Sequence, residues 1–265
     1  MTLDDEGRTE TQRPSAPEFL TKAGIEFTLE SIRLAEFDRC FLQTSIFVRK
    51  HVGDIMRSGW GITDTERLIP DVGEQIEASK RRHFLDMHWR VIGEALFVRS
   101  VDNFLRYLAD LLSLIFVTMP ETLRSNEQVS LDFILQHSTL DDLVGGLASQ
   151  KVEKLSRGGT GALFKYFRDS LGFELTFDKA HVTRIVELVE IRNILVHNRG
   201  VISTLFKRRL PGYPAEVGQR VRIERDYAGV VRKALLEAVF DIDKRAIEKW
   251  GLPVASGIPR RLSET

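Results

Sequence analysis

The chain has 265 residues with 43% hydrophobic and 29% charged side chains, and its positive and negative charges balance to a formal net charge of zero. This composition is ordinary for a globular protein, and the length allows one large domain or two small ones. The single cysteine, Cys40, excludes an internal disulfide framework and leaves too few thiols for a cysteine-based zinc site.

The N-terminal segment, residues 1–17, is polar and rich in threonine, glutamate, aspartate, proline and serine, which predicts a disordered tail. It lacks the apolar core that a secretory signal needs, so we expect a cytoplasmic protein. Residues 18–82 form a predicted N-terminal helical extension, because large apolar residues recur there at spacings that one broad helical face would bury. These residues are Phe27, Leu34, Phe37, Phe41, Ile46 and Phe47.

The strongest helical periodicity lies between residues 83 and 117 and predicts one long helix, roughly 50 Å in length. Charged residues of both signs follow i, i+4 rows on its other face. Its most apolar part, residues 105–119, contains Arg106 and Asp110 and is too short for a membrane span, so we expect no membrane partner. The predicted buried face includes Phe97, Val101, Phe104, Leu108, Leu111 and Ile115.

Three shorter helices are predicted at 129–136, 140–155 and 163–171. Glycines at 158–161 separate the last two helices. These glycines do not match the phosphate-loop pattern, so we interpret them as turn residues and not as a nucleotide site. The sequence also contains neither H-E-x-x-H nor the G-x-S-x-G elbow of a serine hydrolase, and we expect no metal and no cofactor.

The C-terminal third contains two predicted helices, one near 178–198 that ends before Gly200 and one near 226–250. Between them lie a looser basic stretch at 207–218 and a segment at 219–224 whose alternation suits a short strand or an extended arm. Strand signals are otherwise nearly absent from the sequence, which favours an all-α architecture.

The predicted organisation is therefore an all-α helical bundle over residues 83–250, followed by a C-terminal tail at 251–265. The charge is uneven, because residues 1–150 carry a net charge of −8 and residues 151–265 carry +8. This asymmetry gives the second half a candidate surface for a polyanion. The alternative is that the two halves attract each other, or that the split reflects an acidic N-terminal tail.

One segment concentrates polar residues at the end of an amphipathic helix, and it reads I-R-N-I-L-V-H-N-R-G over 191–200. Asn193 and His197 are separated by four residues, so they share a face and are within reach of a hydrogen bond. Arg192 and His197 lie about 140° apart around the helix axis. Two such helices that met about a two-fold axis would bring both pairs into one cleft.

The sequence R-N-I-L-V-H resembles the R-x-x-x-x-H signature of the HEPN superfamily, with Asn193 in the polar position that often follows the arginine. Asn198 and Gly200 also resemble the members in which the helix ends soon after the histidine. The resemblance implies a helical bundle, usually dimeric, with the motif at the dimer interface. Many members are metal-independent endoribonucleases, among them toxins and phage-defence effectors, whereas others serve as non-catalytic scaffolds.

The resemblance implies catalytic roles for Arg192, Asn193 and His197. Imidazole, with a reference pKa of about 6.5, suits proton transfer to and from RNA oxygens at neutral pH. A guanidinium matches the charge that develops on the phosphate, and the Asn193 amide would orient the imidazole or contact the phosphate. The structural alternative is a histidine at a helix C-terminus and an arginine in an ordinary salt bridge.

Weaker candidates complete the expected site. Asp102 and Arg106 have the i, i+4 spacing of an acid and base that some HEPN nucleases add on an earlier helix, although a solvated charged stripe explains them equally. RNA is the expected substrate, with a homodimer as the expected assembly and an antitoxin or a nucleotidyltransferase as an expected partner. The candidate substrate-binding residues are Asn198, Arg199, Lys207, Arg208 and Arg209, although a solvated loop explains the last three equally.

Overall fold

A computed structural model describes residues 20–57, 78–125, 128–175, 179–224 and 226–255 of the chain. The predicted tail at 1–17 and the side chain of Phe47 lie outside the described part. The described residues are 75% helical and contain no strand, which confirms the all-α prediction. No helix in these ranges is long and apolar enough to cross a membrane.

Eight α-helices make up the described architecture, together with a 3-10 turn at Pro120–Leu123 and a π-helical turn at Tyr166–Ser170. The helices are α1 (Lys22–Arg57), α2 (Ala78–Thr118), α3 (Leu131–Leu135), α4 (Leu140–Arg157), α5 (Thr160–Lys165), α6 (Lys179–His197), α7 (Thr204–Arg209) and α8 (Tyr227–Trp250).

The long helix α2 is the centre of the bundle and packs against α1, α4, α6 and α8. Its C-terminal half is buried because large apolar residues recur there every three or four positions, as an amphipathic helix requires. The predicted buried face is confirmed, since all six of its residues are at most 1% exposed. They are Phe97, Val101, Phe104, Leu108, Leu111 and Ile115.

Helix α1 packs on α2 and α8, and its first turns belong to the core of the bundle. Phe27 is buried there, so the segment interpreted as an extension at 18–82 supplies residues to the same core. The single buried face predicted for α1 is wrong farther along the helix, because Phe37 is 53% and Ile46 is 57% exposed. Phe37 instead lies in a stacked arrangement with Phe41.

A buried carboxylate on α8 fixes the start of α1. Asp243 is fully buried and accepts hydrogen bonds from the backbone amide and the hydroxyl of Thr21, both at 2.6 Å, and from the hydroxyl of Tyr107 at 3.1 Å. Burial raises the pKa of the Asp243 carboxyl despite these three donors. The carboxylate therefore joins α1, α2 and α8 at one point inside the core.

The segment between α6 and α8 departs from the sequence interpretation in two places. The basic stretch predicted to be loose from residue 207 begins inside α7, whose N-terminus is capped by the Ser203 side chain, which accepts from the amide of Phe206. The segment predicted as a short strand or arm at 219–224 makes one isolated antiparallel bridge, between Val201 and Arg220. This bridge lies directly after the end of α6.

Candidate functional site

Helix α6 carries the motif, and its apolar residues hold it against the bundle. Five aliphatic residues of α6 lie in the core, where they leave the polar motif residues near the surface. The five buried residues are Ile185, Leu188, Val189, Ile191 and Ile194.

Arg192 points from α6 towards α2, where it meets Asp102. Its Nε donates to Oδ1 of Asp102 at 2.6 Å, and its Nη1 donates to Oδ1 of Asn193 at 3.1 Å. The Arg192 side chain is 23% exposed and that of Asp102 is 35% exposed, so the pair lies at the surface without being fully solvated. The guanidinium is thereby held in one orientation by two acceptors from different helices.

A cleft of about 600 Å³ opens beside this ion pair, between α1 and α2. Arg192 and Asp102 line it together with Arg106, and its other charged lining comes from α1 and the preceding turns of α2. Arg99 donates to Oε1 of Glu30 from both Nε and Nη2, at 3.0 and 2.8 Å. The cleft is thus lined by both acidic and basic groups.

His197 occupies the last position of α6 and is exposed. Within the part of the chain that the structure describes, its ring makes no hydrogen bond and no ion pair. The expected hydrogen bond between Asn193 and His197 is absent there, and the side-chain oxygen of Asn193 accepts from Arg192. The imidazole is therefore open to solvent, and Arg192 and Asn193 form a separate unit.

The chain turns back sharply after His197. The amides of Asn198 and Gly200 both donate to the carbonyl oxygen of Ile194, at 2.9 and 2.8 Å. Arg199 and Gly200 have positive φ angles of 52° and 74°, and a Cβ on Gly200 would lie 3.3 Å from a methyl carbon of Leu195. The predicted stop at Gly200 is explained by this turn, which only glycine enters without strain.

The predicted substrate-binding residues differ in how their side chains are engaged. Asn198 donates to the carbonyl oxygen of Val201 at 2.5 Å. Lys207 donates to the carbonyl oxygen of Tyr213 and lies 3.7 Å from a carboxylate oxygen of Glu216.

The remaining basic candidates also split into paired and unpaired side chains. Arg209 pairs with Glu190 at 2.9 Å. Arg199 and Arg208 are exposed and have no hydrogen bond or ion pair among the described residues. The structure thus leaves two of these candidate cations, Arg199 and Arg208, available for an anion.

The structure separates the secondary candidates Asp102 and Arg106. Asp102 contacts Arg192, which lies ninety positions later in the chain. Arg106 is 81% exposed and lies 3.7 Å from Asp110 on its own helix, although it lines the same cleft. Asp102 is therefore the member of the pair that the fold brings to the motif.

Two features of the structure were not singled out from the sequence, one at the site and one away from it. The Glu30–Arg99 pair joins α1 to α2 across the cleft, and a contact over sixty-nine positions leaves no local signal. Another cleft, of about 760 Å³, lies against α4 and is lined by none of the motif residues. Among the described residues, no group of three or more histidine, cysteine, aspartate or glutamate side chains is arranged to hold a metal ion.

Comparison of the chain with models of protein families, with curated proteins and with solved structures finds no match of any of the three kinds. The chemistry of the site is therefore argued from its own geometry. It offers a guanidinium held by a carboxylate beside a charged cleft, and an exposed imidazole at the end of the same helix. These groups are suited to bind an anion and to move a proton.

Proposed function

We propose that this protein is a metal-independent endoribonuclease of the HEPN type, which acts through His197 and Arg192. One observation carries the proposal: an arginine is held in place by Asp102 and Asn193, and five residues later the same helix ends in an exposed histidine that has no partner among the described residues. RNA cleavage needs proton transfer and stabilisation of phosphate charge, and a histidine and an arginine are the side-chain types suited to these two tasks.

In the proposed reaction the 2′-oxygen of a ribose attacks the adjacent phosphorus, and the bond from phosphorus to the 5′-oxygen breaks. The 2′-hydroxyl loses a proton and the departing 5′-oxygen gains one, so the products carry a 2′,3′-cyclic phosphate and a 5′-hydroxyl. The His197 imidazole is suited to either transfer at neutral pH. Its exposure leaves both ring nitrogens accessible to a substrate.

Arg192 would stabilise the charge on the non-bridging phosphate oxygens. Its Nε and Nη1 are engaged by Asp102 and Asn193, while Nη2 has no partner among the described residues. The bound carboxylate fixes the plane of the guanidinium before substrate arrives, which reduces the reorganisation that the reaction needs. Asn193 acts in this proposal by orienting Arg192 and not His197.

A homodimer is part of the proposal, because Arg192 and His197 diverge by about 140° around α6. A second copy related by a two-fold axis would present its histidine near the arginine of the first. Val196, next to His197, is an apolar residue that is 47% exposed, and burial against a second α6 would remove it from water. We propose RNA as the substrate and a cytoplasmic role as a toxin or antiviral effector, with an antitoxin or a nucleotidyltransferase as partner.

The proposal is tested with purified wild-type protein and a labelled single-stranded RNA in EDTA. Cleavage is expected to proceed and to leave 5′-hydroxyl and 2′,3′-cyclic phosphate ends. An RNA of the same sequence with a single 2′-deoxyribose should resist cleavage only at the bond that follows it. Loss of activity on chelation, with recovery in magnesium, would contradict the mechanism, and so would 5′-phosphate ends.

A second candidate function is a non-catalytic HEPN-like dimer that binds a protein or a nucleotide. The observation that favours it is that Arg192 is already neutralised by Asp102 at 2.6 Å, whereas nothing in the described chain orients His197. A scaffold predicts no RNA cleavage by the wild type at any pH between 5 and 9, even at enzyme concentrations above that of the RNA. It also predicts that His197→Ala leaves partner binding unchanged.

A further inference from the structure

A second chain segment packs beside the end of the motif helix. Residues 200–202 pair with 218–221, through hydrogen bonds from Ile202 N to Gln219 O and from Val221 N to Gly200 O, both at 2.8 Å. A Cβ on Gly200 would lie 3.5 Å from Cγ of Arg220, so the stem of that arginine passes beside the turn that follows His197. Residues distant in sequence are thereby brought to the candidate site.

The 220–223 segment presents alternating residues to the core and to solvent. Val221 and Ile223 are buried, while Arg220 and Arg222 are exposed. In an extended segment, residues two positions apart project from the same side with a spacing of roughly 7 Å. The two arginines therefore form a short row that runs away from the end of α6.

Three exposed arginines lie close to this segment. Arg199, Arg220 and Arg222 make no hydrogen bond and no ion pair among the described residues. Two other basic residues close in sequence are paired, since Lys207 contacts Glu216 and Arg209 contacts Glu190, whereas Arg208 has no such partner in the described part of the chain. Glu216 pairs with Lys207, and Glu224, which follows Arg222 by two positions on the same exposed side, makes no ion pair with Arg220 or Arg222 among the described residues.

Arg199 occupies a backbone conformation that an L-residue with a long side chain rarely adopts, with φ at 52°. Glycine would occupy this position without strain. A strained residue that also carries an unpaired, exposed charge is more readily explained by function than by folding. This observation is independent of the charge pattern at Arg220 and Arg222.

We propose that Arg199, Arg220 and Arg222, named here the arginine edge, bind the phosphate backbone of single-stranded RNA and lead it to His197. The proposal rests on the proposed nuclease function and adds the path of the substrate. A row of guanidinium groups along one extended segment suits a single backbone, because each fork contacts phosphate oxygens without reading the bases. Binding at the arginine edge is therefore independent of sequence and strongly dependent on salt.

The test measures binding without cleavage, with a fluorescein-labelled 2′-O-methyl oligouridylate that lacks the attacking hydroxyl. Anisotropy titrations at several NaCl concentrations give Kd and its salt dependence. The double variant Arg220→Ala/Arg222→Ala should raise Kd about tenfold, and the slope of log K against log salt should decrease by about 1.4, as expected for two lost phosphate contacts on a single strand. Arg199→Gly should decrease the slope by about 0.7.

Two controls are needed. One distinguishes the loss of charge at the arginine edge from a loss of charge elsewhere, and the other distinguishes weaker binding from unfolding. The variant Lys233→Ala/Lys244→Ala removes two exposed cations from α8 and should leave Kd and the slope unchanged. Arg199→Gly should keep or raise the thermal midpoint, because glycine relieves the positive φ. Weaker RNA binding by Arg199→Gly could then not be attributed to unfolding.

The outcomes distinguish this proposal from the nuclease function. Unchanged binding by Arg220→Ala/Arg222→Ala overturns the arginine edge, even where cleavage of ordinary RNA continues to require His197. Equal affinity for a fluorescein-labelled oligoglutamate of the same length overturns it in favour of an acidic protein partner. Absence of wild-type binding overturns it as well. A protein whose RNA binding depends on the arginine edge but which does not cleave RNA would support the arginine edge as a binding surface. The same result would contradict the proposed nuclease function.

Discussion

Asp243 and Asp102 are two carboxylates that join different parts of this bundle. They differ in burial and in the charge of the groups that donate to them. Asp243 is fully buried and accepts from three uncharged donors, the amide and hydroxyl of Thr21 and the hydroxyl of Tyr107. Asp102 is 35% exposed and accepts from one charged donor, Arg192, at the edge of a cleft. The first belongs to the core and the second to the candidate site.

This difference indicates that the hydrogen bonds to Asp243 stabilise the fold, whereas the ion pair between Asp102 and Arg192 can be exchanged for a contact with a ligand. A buried acceptor with neutral donors has no substitute in its surroundings, so its loss leaves several polar groups unsatisfied. A partly exposed ion pair is compensated by water, contributes about 1 kcal/mol or less to stability and is open to exchange with another anion. A phosphate that arrives in the cleft can therefore share Arg192 with Asp102.

Removal of the buried carboxylate is expected to have the largest effect on stability. Asp243→Ala should lower the free energy of unfolding by about 3 kcal/mol or more, because the three donors on Thr21 and Tyr107 are left buried without an acceptor. Urea unfolding followed by circular dichroism measures the change. Ser100→Ala is the matched control, since its buried hydroxyl makes only an intrahelical bond to Leu96. Equal losses for both variants would contradict the account.

A pair of glycine substitutions tests how closely α1 and α8 approach at Asp243. A Cβ on Gly24 would lie 2.6 Å from a carboxylate oxygen of Asp243, whereas a Cβ on Gly145 would meet nothing within 4 Å. Gly24→Ala should therefore destabilise the protein by about 1–3 kcal/mol. Gly145→Ala, in the interior of α4, should stabilise it by up to about 1 kcal/mol. Thermal midpoints that shift in the same direction would disprove the close approach.

Disruption of the ion pair between Asp102 and Arg192 should have a small effect on stability and a larger effect on RNA cleavage. Asp102→Asn is expected to change the free energy of unfolding by about 1 kcal/mol or less. It should reduce RNA cleavage about tenfold by releasing Arg192, less than the loss expected from removal of the guanidinium itself. Asp110→Asn, which breaks the exposed pair with Arg106, is the matched control and should preserve cleavage. Loss of folding without a specific loss of cleavage would place Asp102 with the structural residues.

The burial of Asp243 should also produce a smaller effect, on the pH dependence of stability. Burial raises the folded-state pKa of Asp243 above its ordinary value of 3.8, so the folded protein retains a proton that the unfolded chain releases. The stability contribution of the protonated form is complete below the unfolded pKa and is lost as pH rises through the folded pKa. Urea midpoints should therefore decline over this window in the wild type and stay flatter in Asp243→Asn. Parallel curves would contradict the raised pKa.

Much of the fold could be predicted from periodicity, because each main helix carries its own apolar repeat. The predicted spans 83–117, 178–198 and 226–250 correspond to α2, α6 and α8. The single buried face predicted for α1 was wrong because spacing alone does not report where a neighbouring helix ends. Phe37 and Ile46 are exposed, although the spacing suits a buried face.

The contacts between helices could not be predicted in the same way. Arg192 and Asp102 were both singled out, but their pairing depends on how α6 packs against α2. Burial of Asp243 could have been predicted from the sequence, because it lies four positions after Val239 and three before Ala246 on the buried face of α8. A carboxylate in an apolar row predicts a buried acceptor, although its donors at Thr21 and Tyr107 are distant in sequence.

The central claim, that His197 and Arg192 carry RNA cleavage, is tested most directly by cleavage rate and thermal midpoint measured together. His197→Ala and Arg192→Ala should each reduce cleavage about 100-fold or more, and Asn193→Ala should reduce it less. The His197 variant should keep the wild-type midpoint, because its ring has no partner in the described chain. A His197→Ala protein that cleaves RNA at the wild-type rate would contradict the assignment.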